Sequence, residues 1–224
     1  MLNRHGADQW IPATLVVTPV IAACAWLAVG GESGWWLPAG VCTIALLGFI
    51  AFFRDPPRSA PRSADGCMMS PADGRVSAVF SQAHHDAVDG PATVVRIFLS
   101  VLDVHVNRVP WDGEVLSRAH RPGRYLDVRT PHSAHVNESV LLSLRAAGGQ
   151  RYGVRLVSGA IARRIVCTLR PGDRATRGER MGLIKFGSTT ELILPRPADV
   201  QAHVSVGQRV TGGVTILATL SPPK

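Results

Sequence analysis

The polarity pattern divides the chain at about residue 54. Ile11 to Gly31 is an uncharged run of 21 residues, and Trp35 to Phe53 is a second one of 19. Each is long enough to cross a hydrocarbon core as a helix. Gly30-Gly31-Glu32-Ser33-Gly34 between them reads as a short polar turn, and Glu32 is the only charged position from Ile11 to Phe53. The prediction for residues 1–53 is an apolar helical hairpin, with Pro19 weakening the first span. A hairpin buried in a soluble protein has the same pattern, and a re-entrant first span is the other option. From Cys67 onward the pattern changes to short β-branched runs between Gly, Pro and Asp. Thr93–Leu99, Glu138–Leu144, Tyr152–Val157, Ala160–Thr168 and Glu191–Leu194 are predicted strands. Amphipathic helical windows are scarce, so residues 67–224 are expected to form a mostly β (α+β) domain, built as a sandwich or barrel.

Charge sharpens this division. The whole chain has 224 residues and a formal charge of +8. Residues 54–224 contain 23 basic and 14 acidic side chains, so the strongly basic part is the body. Residues 54–66, with Arg54, Arg58 and Arg62 among prolines, read as an extended basic linker. Arg4 before the first run and these arginines after the second place both ends in the cytoplasm and the turn outside. Trp26, Trp35 and Trp36 flank the turn, where aromatic residues favour the interface. A basic body suits an anionic lipid surface, nucleic acid or an acidic substrate. No nucleic-acid motif or aromatic-basic platform accompanies it. The four cysteines have neither zinc nor redox spacing and read as free thiols.

Two internal repeats organise the body. Asp73-Gly74-Arg75-Val76 resembles Asp112-Gly113-Glu114-Val115, each an Asp-Gly turn feeding a strand. Gly172-Asp173-Arg174-Ala175-Thr176-Arg177-Gly178 matches Gly207-Gln208-Arg209-Val210-Thr211-Gly212-Gly213 in one register. The second pair has the look of the tight hairpins of lipoyl and biotinyl carrier domains. A carrier needs a lysine at a hairpin tip, and Lys185, the only lysine besides the terminal Lys224, lies outside both repeats. The repeats therefore read as architecture.

Candidate chemistry lies in four segments: Ser70-Pro71-Ala72-Asp73-Gly74, Asp103-Val104-His105-Val106-Asn107-Arg108-Val109-Pro110, His120-Arg121-Pro122-Gly123-Arg124-Tyr125, and Phe186-Gly187-Ser188-Thr189-Thr190. An Asp, a His and a Ser in separate turn-flanked segments can assemble a nucleophile constellation in space. His84-His85 and His132 with His135 lack a full metal-ligand set and read as solvated loops, so no metal is expected. Asn137-Glu138-Ser139 matches a glycosylation acceptor, which a cytoplasmic location discounts.

These segments, in this order and behind an apolar hairpin, make the chain resemble the short bacterial form of phosphatidylserine decarboxylase, with an actinobacterial flavour. The resemblance covers nearly the whole chain. It implies a self-cleaving proenzyme, cut between Gly187 and Ser188 into chains 1–187 and 188–224. Ser188 Oγ attacks the Gly187 carbonyl, the amide becomes an ester, and β-elimination followed by hydrolysis leaves a pyruvoyl group in place of Ser188. That self-made cofactor forms a Schiff base with the substrate amine and acts as electron sink for loss of carbon dioxide. The implied reaction converts phosphatidylserine to phosphatidylethanolamine at the cell membrane, with the catalytic domain on the cytoplasmic side. The implied partners are the anionic phospholipid, the membrane, the two chains of one precursor and a second copy in a homodimer.

The resemblance also implies roles. Asp73 orients an imidazole, and His105 serves as base in self-cleavage or as proton donor to the decarboxylated carbon. The longer form of the family has a second histidine where this chain has Arg108, which is no base at neutral pH. One imidazole then serves both steps, or His120 supplies the other. Arg121 and Arg124 beside Pro122-Gly123 are candidate phosphate ligands. Two alternatives stand beside this reading: a membrane-anchored, non-catalytic binding module for lipid or a partner, and a decarboxylase for a related serine-headgroup lipid.

Overall fold

The computed structural model describes residues 2–61, 66–127, 130, 133–160, 164–185, 188–195 and 200–220. The chain divides into two compact units, Met1–Pro57 and Arg58–Lys224. The first is a pair of helices, α1 (Ala7–Val29) and α2 (Trp36–Phe52). At 1.5 Å per residue they are about 35 and 26 Å long. α1 runs through both Pro12 and Pro19 without a break. Each is long and apolar enough to cross a membrane. Leu15, Val16, Trp26, Leu37, Ile44 and Leu47 are all exposed, on helices apolar all round, which is the composition of a lipid-facing rather than a water-facing element. Trp35 donates its indole N–H to Glu32 in the turn. Asn3 N–H donates to Phe53 O, closing the base of the pair.

The second unit is mostly β. Its strands are β1 (Cys67–Met69), β2 (Gly74–His85), β3 (Gly90–Leu99), β4 (Val106–Arg108), β5 (Gly113–Arg121), β6 (Ser139–Arg145), β7 (Arg151–Val157), β8 (Ile165–Cys167), β9 (Arg174–Ala175), β10 (Arg180–Ile184), β11 (Ser188–Pro195), β12 (Val200–Ala202), β13 (Arg209–Val210) and β14 (Ile216–Leu220), with one helical turn, α3 (Ser133–Val136). One sheet has the order β13-β2-β3-β11-β7-β6-β5-β9. Two smaller ones have the orders β1-β14-β12 and β4-β10-β8. All pairings are antiparallel.

Four of the five predicted strands appear as β3, β6, β7 and β11. Of Ala160–Thr168 the structure keeps β8, while residues 161–163 lie outside the described residues. Alternation assigns the faces of the large sheet. Val95, Ile97, Leu99, Val140, Leu142, Val154, Leu156, Leu192 and Leu194 enter the main core, together with Met68, Met181, Ile184 and Leu217 from the small sheets. Val94 and Ile193 join Ala87 and Ala92 on the outer face.

That outer face also holds charge. Glu191 is 3% exposed and accepts from Arg96 at 2.8 Å, with Arg155 at 3.5 Å. His85 lies nearby, at the end of β2, and its Nδ1 accepts the Ala87 N–H at 3.1 Å. That bond requires a neutral ring. Burial pulls the His85 pKa below 6.5, against Glu191 and Asp86 and with Arg155 and His84. The unfolded chain then takes up a proton more readily than the folded one. The His85 contribution is complete above the unfolded value and is lost as pH falls toward the lowered folded value. Melting temperatures of the wild type and His85→Gln should converge on going from about pH 7.5 to about 5.5.

The two repeats are structural twins at opposite edges of the large sheet. β13 pairs with β2 behind Asp73-Gly74, and β9 pairs with β5 behind Asp112-Gly113. The glycines that open the motif have φ +89° (Gly172) and +91° (Gly207), and those that close it +81° (Gly178) and +73° (Gly213). Side chains with a Cβ rarely adopt such values, so the spacing is set by the backbone. Asp112 Oδ1 accepts the Arg177 N–H, and Asp73 Oδ1 accepts the Gly212 N–H, at the same position of the motif and both at 2.8 Å. Lys185 is 3% exposed and follows β10, away from either hairpin tip, which leaves no carrier lysine there.

Candidate active site

β11 runs between β3 and β7 in the middle of the large sheet. Its eight residues all pair with β3, beginning with Ser188 opposite Leu99. Thr189 pairs with Val157, which puts Ser158 next in register across from Ser188. Ser188 and Thr190 share the inner face with Leu192 and Leu194. Ser188 is fully buried, and its Oγ has no hydrogen-bond partner among the described residues. A buried hydroxyl without a partner costs free energy, about 1–3 kcal/mol, so its retention asks for an explanation. Gly187 and Phe186 lie outside the described residues.

The segment before and through β4 lies over this end of β11. Thr190 Oγ1 donates to Asn107 Oδ1 at 2.7 Å, and Asn107 Nδ2 donates to His105 O at 3.1 Å. Thr190, Asn107 and His105 are all completely buried. His105 Nδ1 lies 3.0 Å from Asp103 O. A carbonyl oxygen only accepts, so Nδ1 carries the proton and Nε2 the basic lone pair. The orienting group is thus the backbone of Asp103, two residues away. The Asp103 carboxylate accepts from Ser100 N–H and Oγ and from Arg209, which fixes the turn that sets His105.

Asp73 is engaged differently from the sequence expectation. Its carboxylate is gripped by both terminal nitrogens of Arg58, the Nη2 contact to Oδ2 being 2.7 Å, and it also accepts the Gly212 N–H. Arg58 Nη1 donates to Gly212 O as well, at 2.8 Å. These partners, rather than an imidazole, hold Asp73 among the described residues. The residues expected to form part of a basic linker thus include one that reaches into the β unit, whereas Arg62 lies outside the described residues.

His120 sits on β5 opposite Val140 of β6, in line with Leu156 and Thr190. Three strand spacings separate it from β11, about 14 Å. It is not gathered with His105 and Ser188. Its Nε2 is 2.9 Å from Glu138 Oε1, a pairing between neighbouring strands that leaves no signature in the sequence. Asn137 is completely buried and donates to Leu126 O and Ser158 O, an amide committed to structure. Arg121 and Arg124 are exposed. Arg124 is bridged to Asn137 through its backbone. His132 lies outside the described residues, and among those described no group of three or more His, Cys, Asp or Glu forms a metal cluster. All four cysteines are free.

Comparison with known proteins agrees with this geometry. The family model for phosphatidylserine decarboxylase matches residues 46–218. The chain is 43% identical over 211 residues to the phosphatidylserine decarboxylase proenzyme of Symbiobacterium thermophilum, covering 90% of this chain and 96% of that one. It is 37% identical over 221 residues to the proenzyme of Salinibacter ruber, covering 98% and 88%. Against the proenzyme of Nitrosomonas europaea the figures are 37% over 215 residues, covering 89% and 95%. With a match of this extent, the chain belongs to the phosphatidylserine decarboxylase family.

Proposed function

We propose that this chain is a membrane-attached decarboxylase that converts phosphatidylserine to phosphatidylethanolamine, and that it matures by cutting itself between residues 187 and 188. The observation that carries the reading is the buried Ser188 Oγ, without a hydrogen-bond partner among the described residues, on a strand whose Thr190 is linked through Asn107 to His105 in a base-competent tautomer. The hydroxyl adds to the carbonyl carbon of residue 187, and its proton passes to a base such as His105 Nε2. The amide nitrogen leaves protonated, giving an ester. Loss of the Ser188 α-proton expels the residue 187 carboxylate, and hydrolysis of the resulting dehydroalanine releases ammonia. The residues present fit the pyruvoyl group so formed: position 188 is fully buried, and Thr190 on the same face is linked through Asn107 to His105. The chemistry that such a group supplies is that of a carbonyl electrophile, which takes up an amine and withdraws the electrons left when carbon dioxide departs.

The surroundings support a lipid substrate. The turn after Leu99 exposes Val101 and Leu102, and the loop after β5 exposes Tyr125 and Leu126. Leu126 is tied through Asn137 to Ser158, so the two apolar loops flank Ser188 on either side. Arg121 and Arg124, on the second of these, are suited to the phosphate. In this reading α1 and α2 anchor the chain in the membrane, with the β unit on the cytoplasmic side.

Intact-mass spectrometry on the purified full chain is the test, paired with carbon dioxide release from phosphatidylserine vesicles. The expected result is a fragment starting at position 188, lighter by one ammonia than the serine-started peptide, in material that releases carbon dioxide. A single uncut mass in folded protein incubated with anionic vesicles would count against the reading and favour a binding module.

A further inference from the structure

Glu138 is a second unsatisfied polar group on the inner face. Its carbonyl accepts both the N–H of Ser158, at 2.9 Å, and its Oγ, at 3.1 Å. That places Glu138 opposite Ser158, which is itself next in register to Ser188. Alternation along β6 puts Val140 inside and Ser139 outside, so the Glu138 side chain belongs to the inner row that ends at Ser188. Two strand spacings, about 10 Å, separate the two backbones. The Glu138 side chain is 14% exposed, and one oxygen meets His120, whose own side chain is 51% exposed. The other oxygen, Oε2, is buried and has no hydrogen-bond partner among the described residues. A carboxylate oxygen in that state asks for a donor, and a cationic donor most of all.

We infer that Glu138 receives the ammonium group of the substrate and takes its proton, and that His120 holds the carboxylate in place for this by donating to its other oxygen. This rests on the proposed amine-lipid substrate and deepens it. A carbonyl electrophile reacts only with a free amine, whereas an aminophospholipid arrives as R–NH3+. In the step, R–NH3+ and the Glu138 carboxylate become R–NH2 and the carboxylic acid. His120 Nε2–H remains the donor to Oε1, and the acid returns its proton to water on the exposed side of β5. No oxidant or other reactant is needed. Glu138 is thereby a catalytic residue that contacts the substrate, and His120 a positioning residue. This gives His120 a role suited to its place three strands from β11, distinct from a second base at Ser188.

The test uses the full chain in detergent or vesicles, comparing the wild type with Glu138→Gln and Glu138→Asp. Intact mass reads cleavage, and carbon dioxide release reads turnover from about pH 6 to 9.5. Glu138→Gln should be cut like the wild type yet lose about 100-fold in kcat/KM near pH 7. The deficit should narrow steadily with rising pH, as the amine loses its proton to bulk water, and Glu138→Asp should recover part of the loss. A merely structural role predicts a loss that is constant with pH. That outcome, or Glu138→Gln within about threefold of the wild type at every pH, overturns the inference. Should Glu138→Gln fail to cut, carbodiimide labelling of the cut wild type decides. Glycerophosphoserine should protect Glu138 from labelling while glycerol phosphate does not; equal labelling overturns the proposal. A wild type that is cut but releases no carbon dioxide from phosphatidylserine marks failure of the substrate reading instead, and the protection experiment still reports on the ammonium site.

Discussion

Replacing Ser188 with Ala is expected to give a single, folded, uncut chain of 23.9 kDa with no decarboxylase activity. The substitution removes the nucleophile and nothing else that the structure uses. Ser188 Oγ has no partner among the described residues, so no hydrogen bond between them is broken. The site is fully buried, and Ala fills it to within one oxygen atom. Deleting an unsatisfied buried hydroxyl should leave stability unchanged or raise it by about 1 kcal/mol. Thermal melting of the variant against freshly made, uncut wild type measures that, and gel electrophoresis reads the cut. Cleavage of the Ala variant between 187 and 188 would remove Ser188 from the reaction altogether. Loss of folding would mean that the hydroxyl has a structural partner.

Arg58→Ala should be the most damaging substitution outside the central strand. Arg58 and Asp73 have side-chain exposures of 9% and 15%, so the pair is largely withdrawn from solvent. Removing one partner of such a pair strands the other charge, at a cost of about 3 kcal/mol or more. The loss also frees Gly212 O, which Arg58 holds. Arg58→Lys should recover only part of it, because an ammonium cannot reproduce the two-pronged grip of a guanidinium. In the double variant Arg58→Ala/Asp73→Asn much of the penalty should disappear, since no charge is left unpaired and an amide oxygen still accepts from Gly212. Denaturant unfolding of the wild type, Arg58→Ala, Asp73→Asn and the double variant gives the coupling. Additive losses would show that the two side chains act independently.

Much of the β unit could be read because its central strands are buried on both faces. β3 and β11 carry β-branched residues at successive positions, and β6 and β7 are short runs of Val, Leu and Tyr, so composition marks them. β2 and β5 are half exposed, with Gln82, His84, Arg118 and His120 interrupting the pattern, and they were visible only as strands fed by Asp-Gly turns. β9 and β13 are two residues each. No propensity finds so short a strand, but the repeat did, because its glycines fix a backbone shape. Within the site, Ser188 was legible from its motif. The orientation of His105 by the Asp103 carbonyl was not, since a backbone acceptor has no sequence signature. The distance of His120 from Ser188 depends on register through three strands, and sequence order does not encode it. Glu138 was hidden for the same reason: its inner-face position follows from pairing with Ser158.

The twinned edge motifs provide an experiment with its own control. Asp112 caps Arg177 N–H as Asp73 caps Gly212 N–H, in matching turns of one chain, under one solvent and one fold. Asp112→Asn therefore reports what losing the charge at such a turn costs when no function is attached. Subtracting that effect from the effect of Asp73→Asn leaves what is peculiar to Asp73, namely its arginine clasp and any part in the cut. The comparison gains a further dimension if the proposed cut between residues 187 and 188 takes place. Asp112 and Arg177 then remain on one polypeptide, whereas Asp73 and Gly212 come to lie on two, so the same local geometry becomes an intramolecular restraint at one edge and a subunit contact at the other.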